Sequence, residues 1–155
     1  MKIEPTPITL GTSGLGRHSE PGSAEERAAV DVAIDLLTSR HGFVDTSNNY
    51  SSGRSEAVLG IALRELGADG SRVISKVDQD PETGVFDRDR VLRSFEETTA
   101  RLGVDRLPLL HLHDPDSVTF EESISIGGAV QGLIELRSAG VVDAIGVAAC
   151  LLYTS

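Results

Sequence analysis

Apolar residues recur along the chain in two alternating rhythms. Short apolar runs at Ile8-Thr9-Leu10, Phe43-Val44-Asp45, Val73-Ile74-Ser75-Lys76-Val77, Leu107-Pro108-Leu109-Leu110-His111-Leu112-His113 and Ala144-Ile145-Gly146-Val147 read as five strands. Between them apolar positions recur at helical spacing. Ser23 with Glu26 is a capping-box pattern opening a helix through Val30, Ala33, Ile34 and Leu37, ended by His41-Gly42. A second helix is predicted over about 55–66, with Leu59, Ala62, Leu63 and Leu66 on one face, after a polar loop at 46–53. A third runs over about 88–102 through Leu92, Phe95 and Leu102 to a capping Gly103, following a loop with Asp-Pro and Thr-Gly turn signals. A fourth, centred on Val130, Leu133, Ile134 and Leu136, stops at Gly140. Pro108 falls near the start of its strand, where a missing N–H is tolerated.

The strands start near residues 8, 43, 73, 107 and 144, roughly 30 to 37 apart, which is the length of a βαβ unit. Strict alternation predicts an α/β fold with a parallel sheet and helices outside it. Two architectures satisfy this, an open doubly wound sheet and a (β/α)8 (TIM) barrel. A complete barrel needs about 250 residues, so 155 residues hold only its N-terminal half, about five strands and four helices.

Hydrophobic residues at 39% and charged residues at 25% are ordinary for one soluble globular domain, and no linker, repeat or low-complexity segment divides the chain. The expected domain covers 1–149. The last six residues, Cys150-Leu151-Leu152-Tyr153-Thr154-Ser155, do not read as a loop and helix. They match one translation of a transposon-end adapter, so a non-native tail is expected at 150–155, with Cys150 and Tyr153 carrying no meaning. Acidic residues outnumber basic ones 24 to 14, and the net charge of −10 argues against nucleic acid or an anionic membrane as partner. No apolar run approaches the roughly 20 residues of a membrane span, and the first residues lack a signal peptide's apolar stretch. A single cysteine builds no disulfide framework, so a reducing cytoplasm is the expected compartment.

Candidate chemistry lies where the strands end. Asp45 closes the second strand, Lys76 lies late in the third, His113 closes the fourth, and Tyr50 follows Asp45 in the loop on the same rim. The C-terminal ends of parallel strands are where α/β active sites form. Each residue has a plain structural reading: a loop-capping aspartate, a solvated lysine, a packing tyrosine, a satisfied core histidine. Yet lysine is scarce here, with only Lys2 and Lys76 beside twelve arginines, and four such coincidences on one rim are improbable together. A phenol ordinarily titrates near 10, and a neighbouring ammonium favours its ionised form. Lys76 would supply that ammonium, Asp45 would pair with it away from water, and His113 would orient a carbonyl or assist the proton transfer. Hydride chemistry would need a cofactor.

On these residues the chain resembles the aldo/keto reductases. The matching segments are Leu10-Gly11-Thr12-Ser13-Gly14-Leu15-Gly16, Phe43-Val44-Asp45-Thr46-Ser47-Asn48-Asn49-Tyr50 with Gly53-Arg54-Ser55-Glu56, Ile74-Ser75-Lys76, and Leu110-His111-Leu112-His113-Asp114-Pro115, so that the resemblance spans residues 8–147. It implies a (β/α)8 barrel and a catalytic tetrad of Asp45, Tyr50, Lys76 and His113. In that tetrad the tyrosine gives a proton to a carbonyl or takes one from an alcohol, while NAD or NADP exchanges hydride. Gly11, Thr12 and Asp45 would be the cofactor-side contacts. The loops Asp80-Pro81-Glu82-Thr83-Gly84 and His113-Asp114-Pro115-Asp116 are most similar to the D-threo-aldose 1-dehydrogenase (L-fucose dehydrogenase) branch, which oxidises aldoses to lactones. The chain departs from the family at Gly146-Val147-Ala148-Ala149, where the polar residue that holds the nicotinamide amide is missing. The segments for the rest of the cofactor lie beyond a sixth strand, so NAD and NADP both stay open and the fragment itself is expected to be inactive.

Two other readings compete. His111 and His113 share one strand face and, with Asp45 and Asp114, would suit a metal-dependent barrel hydrolase, although Lys76 and Tyr50 then have no task. A catalytically silent barrel binding nucleotide or a partner protein is the other. The glycines at 11–16 are wrongly spaced for a dinucleotide-binding fingerprint.

Overall fold

The computed structural model describes residues 7–149; the tail expected at 150–155 lies outside them. Five strands, β1 (Leu10–Gly11), β2 (Val44–Asp45), β3 (Val73–Val77), β4 (Leu107–His113) and β5 (Val142–Ala148), form one sheet in the order β1-β2-β3-β4-β5. Every pairing is parallel. A doubly wound sheet reverses its strand order at a switch point, whereas sequential order is that of a barrel wall. The α/β reading thus resolves to the N-terminal half of a (β/α)8 barrel.

Each crossover carries a helix: α1 (Ala24–Thr38), α2 (Arg54–Leu66), α3 (Arg88–Leu102), and after β4 a short α4 (Phe120–Ile124) followed by α5 (Ala129–Ser138). Strand alternation separates the two faces. On β4, Leu110 and Leu112 are buried against the helices, while Leu109, His111 and His113 on the other face are half-buried. The core is the layer between sheet and helices, where Val44, Val73, Val77 and Leu107 meet Val30, Leu59, Leu63 and Leu102.

The helix boundaries follow the end signals. Ser23 Oγ accepts from Glu26 N at 3.0 Å, but Glu26 accepts from Gly22 N at 2.7 Å, so this is one half of a capping box. Asp87 caps α3 by accepting from Arg90 N at 2.8 Å, and Gly103 ends it at φ 72°, a conformation glycine adopts without strain. The complete capping box belongs to Thr119 and Glu122 at α4. That helix makes five where four were expected.

Three strands differ in length from expectation, β2 by starting at Val44 and leaving out Phe43. Ile8, which is exposed, and Thr9 lie outside β1, whose first register pair is Leu10 with Val44. β5 begins earlier than expected, since Val142 pairs with Leu107.

Gly60 sets the approach of α2 to α3. A Cβ there would sit 2.0 Å from the Arg101 carbonyl oxygen, a backbone atom that cannot move without the helix. Gly60→Ala is therefore expected to cost at least the upper part of the roughly 1–3 kcal/mol typical of overpacking, read as unfolding free energy in urea. The control Gly14→Ala adds a Cβ that meets nothing within 4 Å, and should stay within about 0.5 kcal/mol of the parent.

Candidate active site

The four residues anticipated on the rim come together around the Lys76 ammonium. β3 carries Lys76 on the inner face of the wall, one strand from Asp45, and the side chain is only 6% exposed. Its Nζ donates to Asp45 Oδ1 at 2.6 Å, to the Thr46 carbonyl at 2.7 Å and to the Tyr50 hydroxyl at 3.2 Å. All three ammonium hydrogens thus have acceptors, which a charge this buried requires. Nζ also lies 4.6 Å from the centre of the Tyr50 ring, within cation–π range. His113 closes the group, its ring edge-on to Tyr50 with centroids 5.6 Å apart. Tyr50, Lys76 and His113, with Asp114, Ala148 and Ala149, line an open pocket of about 400 Å³.

The loop after β2 reaches this place through a left-handed turn. Ser51 and Ser52 take φ of 53° and 55°, ahead of Gly53 at 83°. The loop is held from behind by α3. Arg90 is buried and donates to Asn48 Oδ1 at 3.2 Å, to the Asp78 carbonyl at 2.9 Å and to Glu97 at 2.9 Å. Arg101 donates to the Asn48 carbonyl at 2.9 Å and to Glu56 at 3.2 Å. Burial pushes the Glu56 carboxyl up, against the Ser75, Thr98 and Arg101 donors. At Glu97 burial pulls in the same sense, but the Arg90 and Asn48 donors outweigh it and hold the carboxyl below its usual range.

Of the expected cofactor contacts, Gly11 stands exposed on the rim, in register with Asp45. Thr12 does not offer its side chain. It is 3% exposed, donates to the Asp45 carbonyl at 2.9 Å and accepts from Ser55 Oγ at 2.8 Å. Its hydroxyl holds β1, β2 and α2 together.

His111 lies on the inner face of the wall, outside the core layer between sheet and helices. It faces inward beside Lys76 in the β3–β4 register, and a Cβ on Gly146 would come within 2.8 Å of its ring, so that glycine makes room for it. Burial, then the Lys76 charge, lowers its pKa and keeps it neutral. Its Nδ1 is the one buried side-chain polar atom among the described residues without a hydrogen-bond partner. Among those residues no three His, Cys, Asp or Glu side chains stand close enough to share a cation, so the hydrolase reading lacks its donor set. No described helix is long and apolar enough to cross a membrane.

The reading from sequence passed over Asp78. Asp78 opens the loop after β3, is 5% exposed, and its carboxylate meets His113 Nδ1 at 2.6 Å. The signal was an acidic residue two positions after Lys76, at the end of an otherwise apolar strand.

Residues 7–150 match the model of the aldo/keto reductase family. The chain is 31% identical over 157 residues to the aldo-keto reductase YhdN of Bacillus subtilis, covering 94% of this chain and 44% of that protein. To a D-threo-aldose 1-dehydrogenase of a Pseudomonas species it is 30% identical over 129 residues, 68% of this chain and 39% of that one. The solved structure of a glycerol dehydrogenase from Gluconobacter oxydans superposes with a TM-score of 0.69 at 24% identity, covering 92% of this chain and 44% of its own. The chain thus spans about half the length of the curated relatives it matches. By sequence over nearly its whole length, and by the order and direction of its strands, the chain belongs to the aldo/keto reductase family.

Proposed function

We propose that this chain is the N-terminal half of a full-length NAD- or NADP-dependent oxidoreductase that oxidises an aldose at its anomeric carbon to the lactone in a reducing cytoplasm. The carrying observation is the Lys76 ammonium, which donates at once to Asp45 and to the Tyr50 hydroxyl. A structural tyrosine needs no buried cation on its oxygen, and a silent binding barrel needs no such arrangement.

Tyr50 takes the proton of the anomeric hydroxyl as the C1 hydrogen departs with its electron pair and the lactone carbonyl forms. In the reverse direction the same oxygen returns the proton to a carbonyl. Lys76 opposes the negative charge on the phenol oxygen in the deprotonated form, and Asp45 makes that lysine tolerable so far from water. His113, on the same pocket, orients the substrate oxygen. The residues present fit the reacting end of a nicotinamide cofactor: Gly11 leaves the rim open and Asp45 borders it, and these two would hold that end. When bound, NAD or NADP supplies the hydride acceptor for oxidation or the donor for reduction.

The sugar substrate is supported by the sequence similarity to the D-threo-aldose 1-dehydrogenase. The test is the full-length protein assayed with NAD⁺ and NADP⁺ against a panel of aldoses. Reduction of one cofactor by at least one aldose is expected. Turnover confined to the reduction of simple aldehydes would replace aldose oxidation by carbonyl reduction.

The 155-residue chain alone is expected to be inactive. β1 and β5 are sheet edges among the described residues, and the inner face of β4 lies half-exposed; such edges invite association. Sedimentation should find oligomers or precipitate, with no binding of NAD(P). A monomer that binds cofactor with a Kd of about 1 μM, roughly −8 kcal/mol, would contradict this.

A further inference from the structure

We infer that Asp78 is a positioning residue for the reaction, fixing the His113 ring with Nδ1 as the hydrogen-bond donor and tying it to the loop that presents Tyr50; this rests on the proton-transfer reading above. Asp78 lies one position beyond the Val77–Leu112 pair, next to His113 on the neighbouring strand. Its Oδ1 meets His113 Nδ1 at 2.6 Å. Its Oδ2 accepts from Ser47 Oγ and, at 3.0 Å, from the Asn49 backbone N–H immediately before Tyr50. Ser47 Oγ is itself 3.1 Å from His113 Nδ1.

One buried carboxylate therefore holds both partners of the phenol side of the site, the histidine and the tyrosine's loop. Asp78 is in turn fixed by its backbone: its N–H donates to Ser94 Oγ at 3.1 Å and its carbonyl accepts from Arg90 at 2.9 Å, both from α3. An ionised carboxylate only accepts, so the imidazole nitrogen facing it carries the hydrogen. Nε2 is then left on the pocket side as an acceptor, able to orient the substrate through one of its hydroxyl hydrogens. A second carboxylate, Asp114 Oδ2, stands 3.5 Å from Nε2, longer than the 2.7–3.2 Å of a well-formed N–H···O bond and than the 2.6 Å contact of Asp78 with Nδ1.

An amide at position 78 keeps the volume but has one acceptor oxygen where the carboxylate has two; with that oxygen kept by the Ser47 and Asn49 donors, its NH₂ faces His113 Nδ1 and cannot accept from it. The test uses the full-length protein with ¹⁵N-labelled histidine. A long-range ¹H–¹⁵N correlation reads the tautomer of the neutral His113 ring, assigned by its disappearance in His113→Gln. The wild type should show the Nδ1–H form and Asp78→Asn a shift toward Nε2–H. In Asp78→Asn kcat should fall about tenfold to a hundredfold, less than the roughly 10²–10⁴ of losing the proton donor, with cofactor Kd within about threefold. Ser47→Ala, which keeps the carboxylate, should retain the Nδ1–H tautomer; it serves if Asp78→Asn does not fold. An Nε2–H tautomer in the wild type, or Asp78→Asn with kcat within about threefold of it, would overturn the inference. Failure of the underlying reading is seen separately, as normal turnover in Tyr50→Phe with the His113 tautomer unchanged.

Discussion

Tyr50→Phe in the full-length protein should lower kcat by roughly 10²–10⁴, the range for removal of a general acid–base group. The substitution deletes one oxygen and keeps the ring. The lost oxygen accepts one hydrogen bond, from Lys76 at 3.2 Å, and Lys76 keeps Asp45 and the Thr46 carbonyl as acceptors. No buried charge is stranded, and the ring keeps its edge contact with His113. The ammonium hydrogen it releases lies where Lys76 borders the open pocket, so water can accept it, and stability should fall by no more than about 1 kcal/mol, the low end for a donor losing its partner. Cofactor Kd should stay within about threefold, because the phenol acts on the substrate oxygen. A tyrosine that only packs gives the opposite pattern, a lower melting temperature with near-normal turnover.

Lys76→Met is expected to lower turnover and stability together, and this separates it from the tyrosine variant. Methionine fills most of the stem volume but removes the ammonium that opposes charge on the Tyr50 oxygen. Loss of a preorganised electrostatic donor of this kind costs about 10²–10³ in kcat. The same change leaves Asp45 without its ion-pair partner. The Asp45 side chain is 24% exposed, so water relieves part of the penalty, and the stability loss should fall below the roughly 3–5 kcal/mol seen when a fully buried pair is broken. Kinetics and urea unfolding on one preparation check both halves. Turnover within about threefold of wild type would remove Lys76 from its role.

The contrast between what was legible and what was not is physical. β3, α3 and β4 match expectation at both ends because each is a patterned run bounded by a sharp signal: Asp87 before α3, Gly103 after it, Asp114-Pro115 after β4. β1 and β5 were misjudged because strand ends are set by which backbone groups find partners, Leu10 opposite Val44 and Val142 opposite Leu107, and apolar content does not report pairing. The short α4 carried its own Thr119–Glu122 signal, but its Phe120 and Ile124 stay exposed, so no buried stripe marked it. The meeting of Asp45, Tyr50, Lys76 and His113 was legible because they differ in chemistry and lie at or just beyond the ends of successive strands. Asp78 was not, because its place beside His113 follows from the register of β3 against β4. The internal bonding of the Thr12 hydroxyl was hidden for a similar reason: it depends on Ser55, on α2, which donates to it.

The most direct measurement is the fate of the hydrogen on the anomeric carbon. An aldose carrying deuterium at C1 is incubated with the full-length protein and oxidised cofactor, and the reduced nicotinamide is isolated and analysed by NMR and mass spectrometry. Direct transfer predicts one deuterium at C4 of the nicotinamide, on a single face, with a matching amount of lactone. The same label pattern should appear in Tyr50→Phe at its much lower rate, because that variant impairs the proton and not the hydride. Lactone formed without label in the nicotinamide, or reduced nicotinamide carrying hydrogen from water, would contradict the account.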